Sequence, residues 1–175
     1  YHAPKWLPGG HAQTIYPLLT KPASHTYRRE RWETPDKDFI DLDWNESAAS
    51  ALDTERTPLV VIFHGLEGNS NSHYALGLMH ALKAIGWAGV VIHFRGCSGE
   101  PNRLPRAYHS GDSEEIEWIL QRLRQQHPQR TLYAVGVSLG GNALLKWLGE
   151  RESAAARYIG GAAAISAPLD LAACG

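Results

Sequence analysis

Gly136-Val137-Ser138-Leu139-Gly140 places a serine between two glycines, each two residues away from it. Residues 131–135 before it form an apolar run of the length of a buried strand, and leucines follow it at helical spacing, namely Leu144, Leu145 and Leu148. Strand, sharp turn and helix in this order are typical of a nucleophile elbow, in which a strained backbone lifts the serine hydroxyl clear of the sheet. An ordinary strand-to-helix turn with an incidental serine is the alternative.

The composition indicates one globular domain and excludes several classes of function. The chain has 175 residues, of which 43% are hydrophobic, and 17 Lys plus Arg balance 18 Asp plus Glu without a long basic run, so we expect no nucleic-acid partner. Cys97 and Cys174 lack metal-type spacing and fit a reducing cytoplasm. No stretch approaches the roughly 18 apolar residues of a membrane span, and no signal pattern opens the chain, so we expect a soluble cytoplasmic protein without a transmembrane segment.

Strand and helix patterns alternate along most of the chain. The first 35 or so residues, rich in proline and polar groups, predict an extended arm, and residues 47–58 predict a surface loop. Apolar runs predict strands, which are residues 39–44, 59–63, 89–94, 131–135 and 158–165. Apolar residues at helical spacing predict helices between them, with Ser72 as one cap and Asp112 with Glu115 as a capping box for another. This alternation favours an α/β fold with a mostly parallel sheet and helices on both faces.

The loops that follow Phe63, Phe94 and Val135 should meet at the carboxyl edge of such a sheet. His64-Gly65-Leu66-Glu67-Gly68 follows Phe63, in the place where lipases and esterases supply one donor of an oxyanion hole. We expect the backbone N–H groups of Leu66 and Leu139 to be the two donors. A simple tight turn is the alternative. The glycines after residue 135 do not form a dinucleotide-binding turn, because Ser138 stands where that turn needs its second glycine.

The loop at residues 95–102 is dense in polar and charged residues. Arg95 could bind a substrate carboxylate. Alternatively, it could form a salt bridge with Asp112 or Glu100 that holds the loop against the strand ends. Cys97 is expected to be a small buried filler, and His64, His93 and His109 lack metal-ligand spacing, so we expect no metal site. Four residues are therefore candidates either for contact with substrate or for structuring the loops: His64, Glu67, Arg95 and His109.

Longer motifs resemble the YheT-like branch of the α/β-hydrolase superfamily, and the resemblance covers nearly the whole chain. It rests on Leu7-Pro8-Gly9-Gly10-His11-Ala12-Gln13-Thr14, Asp38-Phe39-Ile40-Asp41-Leu42-Asp43-Trp44, His64-Gly65-Leu66-Glu67-Gly68, Tyr108-His109-Ser110-Gly111 and Gly136-Val137-Ser138-Leu139-Gly140-Gly141-Asn142. Its most specific part is Arg95-Gly96-Cys97-Ser98-Gly99-Glu100-Pro101-Asn102. The resemblance implies a serine hydrolase of carboxylesterase or lipase type, with Ser138 as the nucleophile, no cofactor, and small acyl esters, lipid-like ones among them, as substrates.

The chain departs from that family after Ser138. In α/β-hydrolases an acid and then a histidine follow the serine, whereas here no histidine follows it and Asp170 is the only aspartate. We therefore expect residues 1–175 to be a single α/β-hydrolase core that lacks the C-terminal strands and cap and forms the N-terminal portion of a longer catalytic domain. The triad Asp and His would lie beyond residue 175, the C-terminal remainder would be a partner, and the chain alone would be inactive. A non-catalytic binding module and an acyltransferase that uses the same serine are the alternatives.

Overall fold

One sheet organises the protein. The computed structural model describes residues 4–20, 22–45 and 56–174, and its six strands lie in the order β1-β2-β4-β3-β5-β6. The strands are β1 (Arg28–Glu33), β2 (Phe39–Asn45), β3 (Leu59–Phe63), β4 (Ala88–His93), β5 (Leu132–Val137) and β6 (Gly161–Ile165). β2 runs antiparallel to β1 and β4, whereas β4, β3, β5 and β6 are mutually parallel. This arrangement confirms the mostly parallel sheet that the sequence predicts.

Helices cover both faces of the sheet. They are α1 (Gly9–Leu19), α2 (His73–Ala84), α3 (Ser113–Gln126), α4 (Leu139–Arg151) and the single turn α5 (Leu171–Cys174), with a 3₁₀ segment at Glu152–Arg157. Within β3, Val60 and Ile62 pack in the cluster that contains α2, whereas Val61 and Phe63 pack in the cluster that contains α3 and α4. Alternate residues of a strand point to opposite faces, so burial on both faces explains why this strand is apolar throughout. No helix in the described ranges is both long and apolar enough to cross a membrane.

The extended arm predicted for the N-terminal region is wrong in two places, because the region contains α1 and β1. β1 lacks an apolar pattern since it is held by charge instead: Arg29 and Arg31 lie directly opposite Asp43 and Asp41 of β2 and bind them with two nitrogens each. Opposite charges facing each other across an antiparallel pair stabilise it. Most of the predicted loop at residues 47–58 lies outside the described residues.

Candidate active site

Ser138 lies between the end of β5 at Val137 and the start of α4 at Leu139. Its backbone angles are φ 52° and ψ −118°, a conformation that costs a non-glycine residue roughly 1–3 kcal/mol. The surrounding backbone holds it there, because the Ser138 N–H donates to Ile165 O of β6 at 2.9 Å and the Ser138 carbonyl accepts from Asn142 N–H at 3.0 Å. The sharp strand-to-helix turn that the sequence predicts at Ser138 is therefore present.

Close backbone packing brings the loop after β3 against this turn. A Cβ added to Gly136 would lie 2.6 Å from the carbonyl oxygen of Gly140, and one added to Gly140 would overlap the carbonyl oxygens of Phe63 and His64. A Cβ added to Gly65 would lie 3.1 Å from Ser138 Cβ and 3.7 Å from Ser138 Oγ. The loops after β3 and β5 thus converge, as expected for the carboxyl edge of a parallel sheet.

Side chains from distant parts of the chain bind the turn at residues 64–68. The Gly65 N–H donates to the Tyr74 hydroxyl at 3.0 Å, and the Glu67 N–H donates to the Tyr108 hydroxyl at 2.6 Å. The Gly65 carbonyl accepts from Gly68 N–H at 3.0 Å. The Leu66 N–H has no acceptor among the described residues, and Leu139 begins α4, where a backbone N–H has no intrahelical partner.

His64 is fully buried beneath this turn. Its Nδ1 lies 2.7 Å from the Gly65 carbonyl oxygen, which can only accept, so Nδ1 carries the proton. Its Nε2 accepts from Phe94 N–H at 3.0 Å. Burial lowers the pKa of His64 to about 4. Both ring nitrogens are therefore used within the protein, and His64 links the ends of β3 and β4 rather than offering a free base.

The other two candidate histidines also bind protein groups. His93 is buried, with Nε2 at 2.8 Å from Asp43 Oδ2 and Nδ1 at 3.2 Å from Cys97 O. His109 is exposed, and its Nδ1 accepts from Gly111 N–H at 3.2 Å. Within the described part of the chain, no histidine ring is hydrogen-bonded to the Ser138 hydroxyl.

Arg95 is buried in a network of carboxylates. Its Nη1 lies 2.9 Å from Asp36 Oδ2 and 3.2 Å from Asp38 Oδ2, and its Nε lies 3.2 Å from each oxygen of Glu115. Burial raises the pKa of Glu115 to about 7, although the Arg95 charge opposes that rise. The guanidinium therefore joins the start of β2 to the first turn of α3.

The partners predicted for Arg95 are wrong, because other arginines hold them. Asp112 accepts from Arg106 at 2.7 Å and Glu100 accepts from Arg31 at 2.7 Å. The predicted capping box is wrong too, because Asp112 binds Arg106 and Glu115 binds Arg95. Asp112 precedes α3, but its side chain makes no capping bond among the described residues.

Sequence reasoning missed Tyr74 as a site residue and gave Tyr108 no role. Tyr108 lies in the Tyr108-His109-Ser110-Gly111 motif, which was the available signal, but its contact with Glu67 joins residues 41 positions apart. Cys97 is half-buried against the core near Tyr108, as expected for a filler. Glu67 is exposed, with φ at 50°.

Comparison with known proteins agrees with this geometry. Residues 58–172 match the alpha/beta hydrolase fold family. The Escherichia coli protein YheT is 46% identical over 94% of this chain and 47% of its own length, and human phospholipase ABHD3 is 32% identical over 86% of this chain and 37% of its own. The chain thus spans about half the length of these curated relatives, or less.

A solved structure agrees at the level of the fold. The Pyrococcus furiosus esterase Pf2001 superposes with a TM-score of 0.63 at 19% identity, over 85% of this chain and 54% of that one. Of the two curated proteins, the Escherichia coli one is named as an esterase and the human one as a phospholipase. From the family match and the identity to YheT, we conclude that the chain belongs to the α/β-hydrolase family, in its YheT-like branch.

Proposed function

We propose that this chain carries the nucleophile and the oxyanion site of a serine hydrolase that cleaves carboxylic acyl esters. The observation that carries the proposal is Ser138 itself, a serine held at φ 52° between a strand and a helix, with Gly65 packed against its side chain. Strain of this kind at a non-glycine residue persists where the surrounding structure enforces it, and such residues cluster at active sites.

The reaction follows the general course of acyl transfer. Ser138 Oγ attacks the ester carbonyl carbon, its proton passes to a histidine base, and the carbonyl oxygen becomes an oxyanion that accepts from the N–H groups of Leu66 and Leu139. Collapse of this intermediate breaks the bond to the alcohol, which leaves with the proton from the imidazolium. Water then attacks the acyl-serine by the same route and releases the carboxylic acid.

The base is proposed to come from the part of the protein beyond residue 175. Support comes from His64 and His93, whose ring nitrogens are all bonded to other protein groups, and from His109, which is bonded to Gly111. Loss of a triad histidine lowers turnover by about 10⁶ in a well-studied serine protease. We therefore expect the isolated 175-residue chain to lack measurable turnover.

The proposed substrates are acyl esters, lipid-like ones among them. This rests on the names of the two curated relatives, which are an esterase and a phospholipase. No cofactor is required for this chemistry.

A fluorophosphonate probe and a p-nitrophenyl ester test the proposal on the whole protein. We expect Ser138→Ala to abolish both covalent labelling and turnover. Ser166→Ala is the matched control, because Ser166 also follows a strand and has a positive φ of 51°, and we expect it to keep both. Full turnover by Ser138→Ala would overturn the proposal, and binding of esters without labelling of Ser138 would favour a non-catalytic module.

A further inference from the structure

We propose that the hydroxyl groups of Tyr108 and Tyr74 are positioning groups that hold the Leu66 N–H in the direction of the oxyanion. This inference rests on the proposed function and assigns the Tyr108 motif a role in it. It follows from the hydrogen bonds of the turn, the backbone strain within it and the packing of Tyr108.

Three backbone groups next to the Leu66 N–H have partners within the protein. The Gly65 N–H donates to the Tyr74 hydroxyl and the Glu67 N–H donates to the Tyr108 hydroxyl. The Gly65 carbonyl accepts from His64 Nδ1 and from Gly68 N–H. The Leu66 N–H has no acceptor among the residues the structure describes. Because Leu66 is 70% exposed, this N–H is left open to solvent or to a substrate oxygen.

The bonds to its neighbours fix where the Leu66 N–H points. In a trans peptide the carbonyl and the N–H point in opposite directions. Because His64 and Gly68 hold the Gly65 carbonyl, the Leu66 N–H of the same peptide is directed away from them. Gly65 packs against Ser138, with an added Cβ only 3.7 Å from Ser138 Oγ, so this peptide lies beside the reacting atom.

The Tyr108 hydroxyl holds the strained end of the turn. Glu67 has φ at 50°, which a residue with a side chain rarely adopts. Without the bond from its N–H to Tyr108, the Leu66-Glu67 peptide would be free to rotate toward a less strained conformation. Rotation there would turn the preceding peptide, and with it the Leu66 N–H.

The Tyr108 ring packs against the end of β4. It stacks on Phe94 with the planes 4° apart and the centroids 5.1 Å apart. Burial raises the pKa of Tyr108 to about 12, so the hydroxyl keeps its proton at neutral pH while it accepts from Glu67. Phe94 directly follows β4, so this stack places the Tyr108 hydroxyl relative to the end of β4. Through its bond to Glu67, the hydroxyl then fixes the turn after β3.

Kinetics on the whole protein can isolate this role. Tyr108→Phe keeps the ring and its stack and removes only the hydroxyl. A donor that acts on the tetrahedral intermediate affects kcat, and a displacement of about 1 Å can cost up to about 100-fold, so we expect kcat to fall about ten- to a hundredfold. We expect KM to stay within about twofold of the wild-type value, because the neutral ester carbonyl accepts a weaker hydrogen bond from the Leu66 N–H than the oxyanion does. The affinity for a boronic acid, which forms a tetrahedral adduct with serine, should fall by the same factor as kcat.

Two further variants complete the test. Tyr74→Phe, which removes the acceptor for Gly65 N–H, should show the same split between kcat and KM. Tyr158→Phe is the matched control, because this half-buried tyrosine lies near the amino end of β6 and its hydroxyl accepts from Gln121 Nε2 at 3.4 Å. We expect Tyr158→Phe to leave kcat, KM and boronic acid affinity unchanged.

Several outcomes would overturn the inference. Wild-type kcat in both Tyr108→Phe and Tyr74→Phe would do so, and so would a rise in KM at constant kcat, which would mean uniform contact with substrate. Should Tyr108→Phe lower the melting temperature strongly, Tyr74→Phe decides alone. If Ser138 is labelled in the wild-type protein but kcat is unchanged in Tyr108→Phe and Tyr74→Phe, only this inference is wrong. If turnover does not depend on Ser138, the proposed function is wrong as well.

Discussion

The space around Gly140 is too small for a methyl group, because an added Cβ would overlap the carbonyl oxygens of Phe63 and His64. In Gly140→Ala, the start of α4 must move away from the end of β3. Overpacking of this kind typically destabilises by about 1–3 kcal/mol, and we expect a loss at the upper end of that range in urea unfolding. Because Ser138 precedes this turn of helix, we expect the rate of fluorophosphonate labelling to fall too.

Gly149→Ala is the matched control in the same helix. Nothing in the described structure lies within 4 Å of a Cβ added there, and alanine in a helix interior is favoured over glycine by up to about 1 kcal/mol. We expect this variant to be as stable as the wild type or slightly more so. Equal losses in the two variants would contradict the close packing of Gly140.

His64 should make stability depend on pH. Its pKa in the folded protein is about 4, below the ordinary value of 6.5, so the unfolded chain binds more protons between these two pH values. The unfolding free energy should therefore rise with pH across this window. The contribution of His64, at most about 3 kcal/mol, is lost as pH falls through the window. Urea unfolding at intervals across the window measures the slope.

His64→Gln isolates that contribution. The glutamine carbonyl can still accept from Phe94 N–H, but glutamine does not titrate. Burial also lowers the pKa of His25 and His127, so the wild-type slope contains more than one histidine. We expect the variant to be less stable at neutral pH and to have a shallower slope. An unchanged slope would show that the His64 ring stays accessible to protons in the folded state.

Among the elements, the loop after β4 depends on charge rather than on apolar packing. Arg95 reaches Asp36 and Asp38 before β2 and Glu115 in α3, and its side chain is 3% exposed. Removing one member of a buried ion network leaves the others without compensation, which typically destabilises by about 3–5 kcal/mol. We expect Arg95→Met to lose that much unfolding free energy in urea titration.

Arg103→Met is the control for a solvent-exposed arginine in the same loop region. The Arg103 guanidinium is 53% exposed and lies 3.7 Å from Glu33, which is 57% exposed. Exposed ion pairs contribute about 1 kcal/mol or less, so we expect a small change. A loss in Arg103→Met as large as that in Arg95→Met would mean that burial of the network has no energetic effect.

Local sequence patterns predicted the elements whose own residues are apolar and buried. They missed the elements that are held by residues distant in the sequence. The run at residues 59–63 is apolar because β3 is buried on both faces, so it is visible without any partner. β1 owes its place to pairs such as Arg29 with Asp43, which no window around β1 contains. At the site, the spacing of glycines around Ser138 is a local signal. The contact from Tyr108 to Glu67 spans 41 positions and could not be predicted.

At the scale of the whole molecule, the sheet ends in a strand with little cover. β6 is an edge strand of the described sheet and pairs there with β5 alone. Its residues after Gly161 are exposed, and Ile165 is 50% exposed. Exposed apolar residues along an unpaired strand edge form a template for another chain.

We therefore expect the isolated 175-residue chain to associate through β6. Size-exclusion chromatography with light scattering at about tens of micromolar, a range in which exposed strand edges aggregate, should show dimers or larger species. A charged side chain on an edge strand opposes such pairing, so Ala163→Lys should shift the chain toward monomer, whereas Ala81→Lys on the exposed side of α2 should not. A wild-type chain that stays monomeric and melts cooperatively would show that β6 needs no further partner, because an edge that bound other chains could not remain free at that concentration.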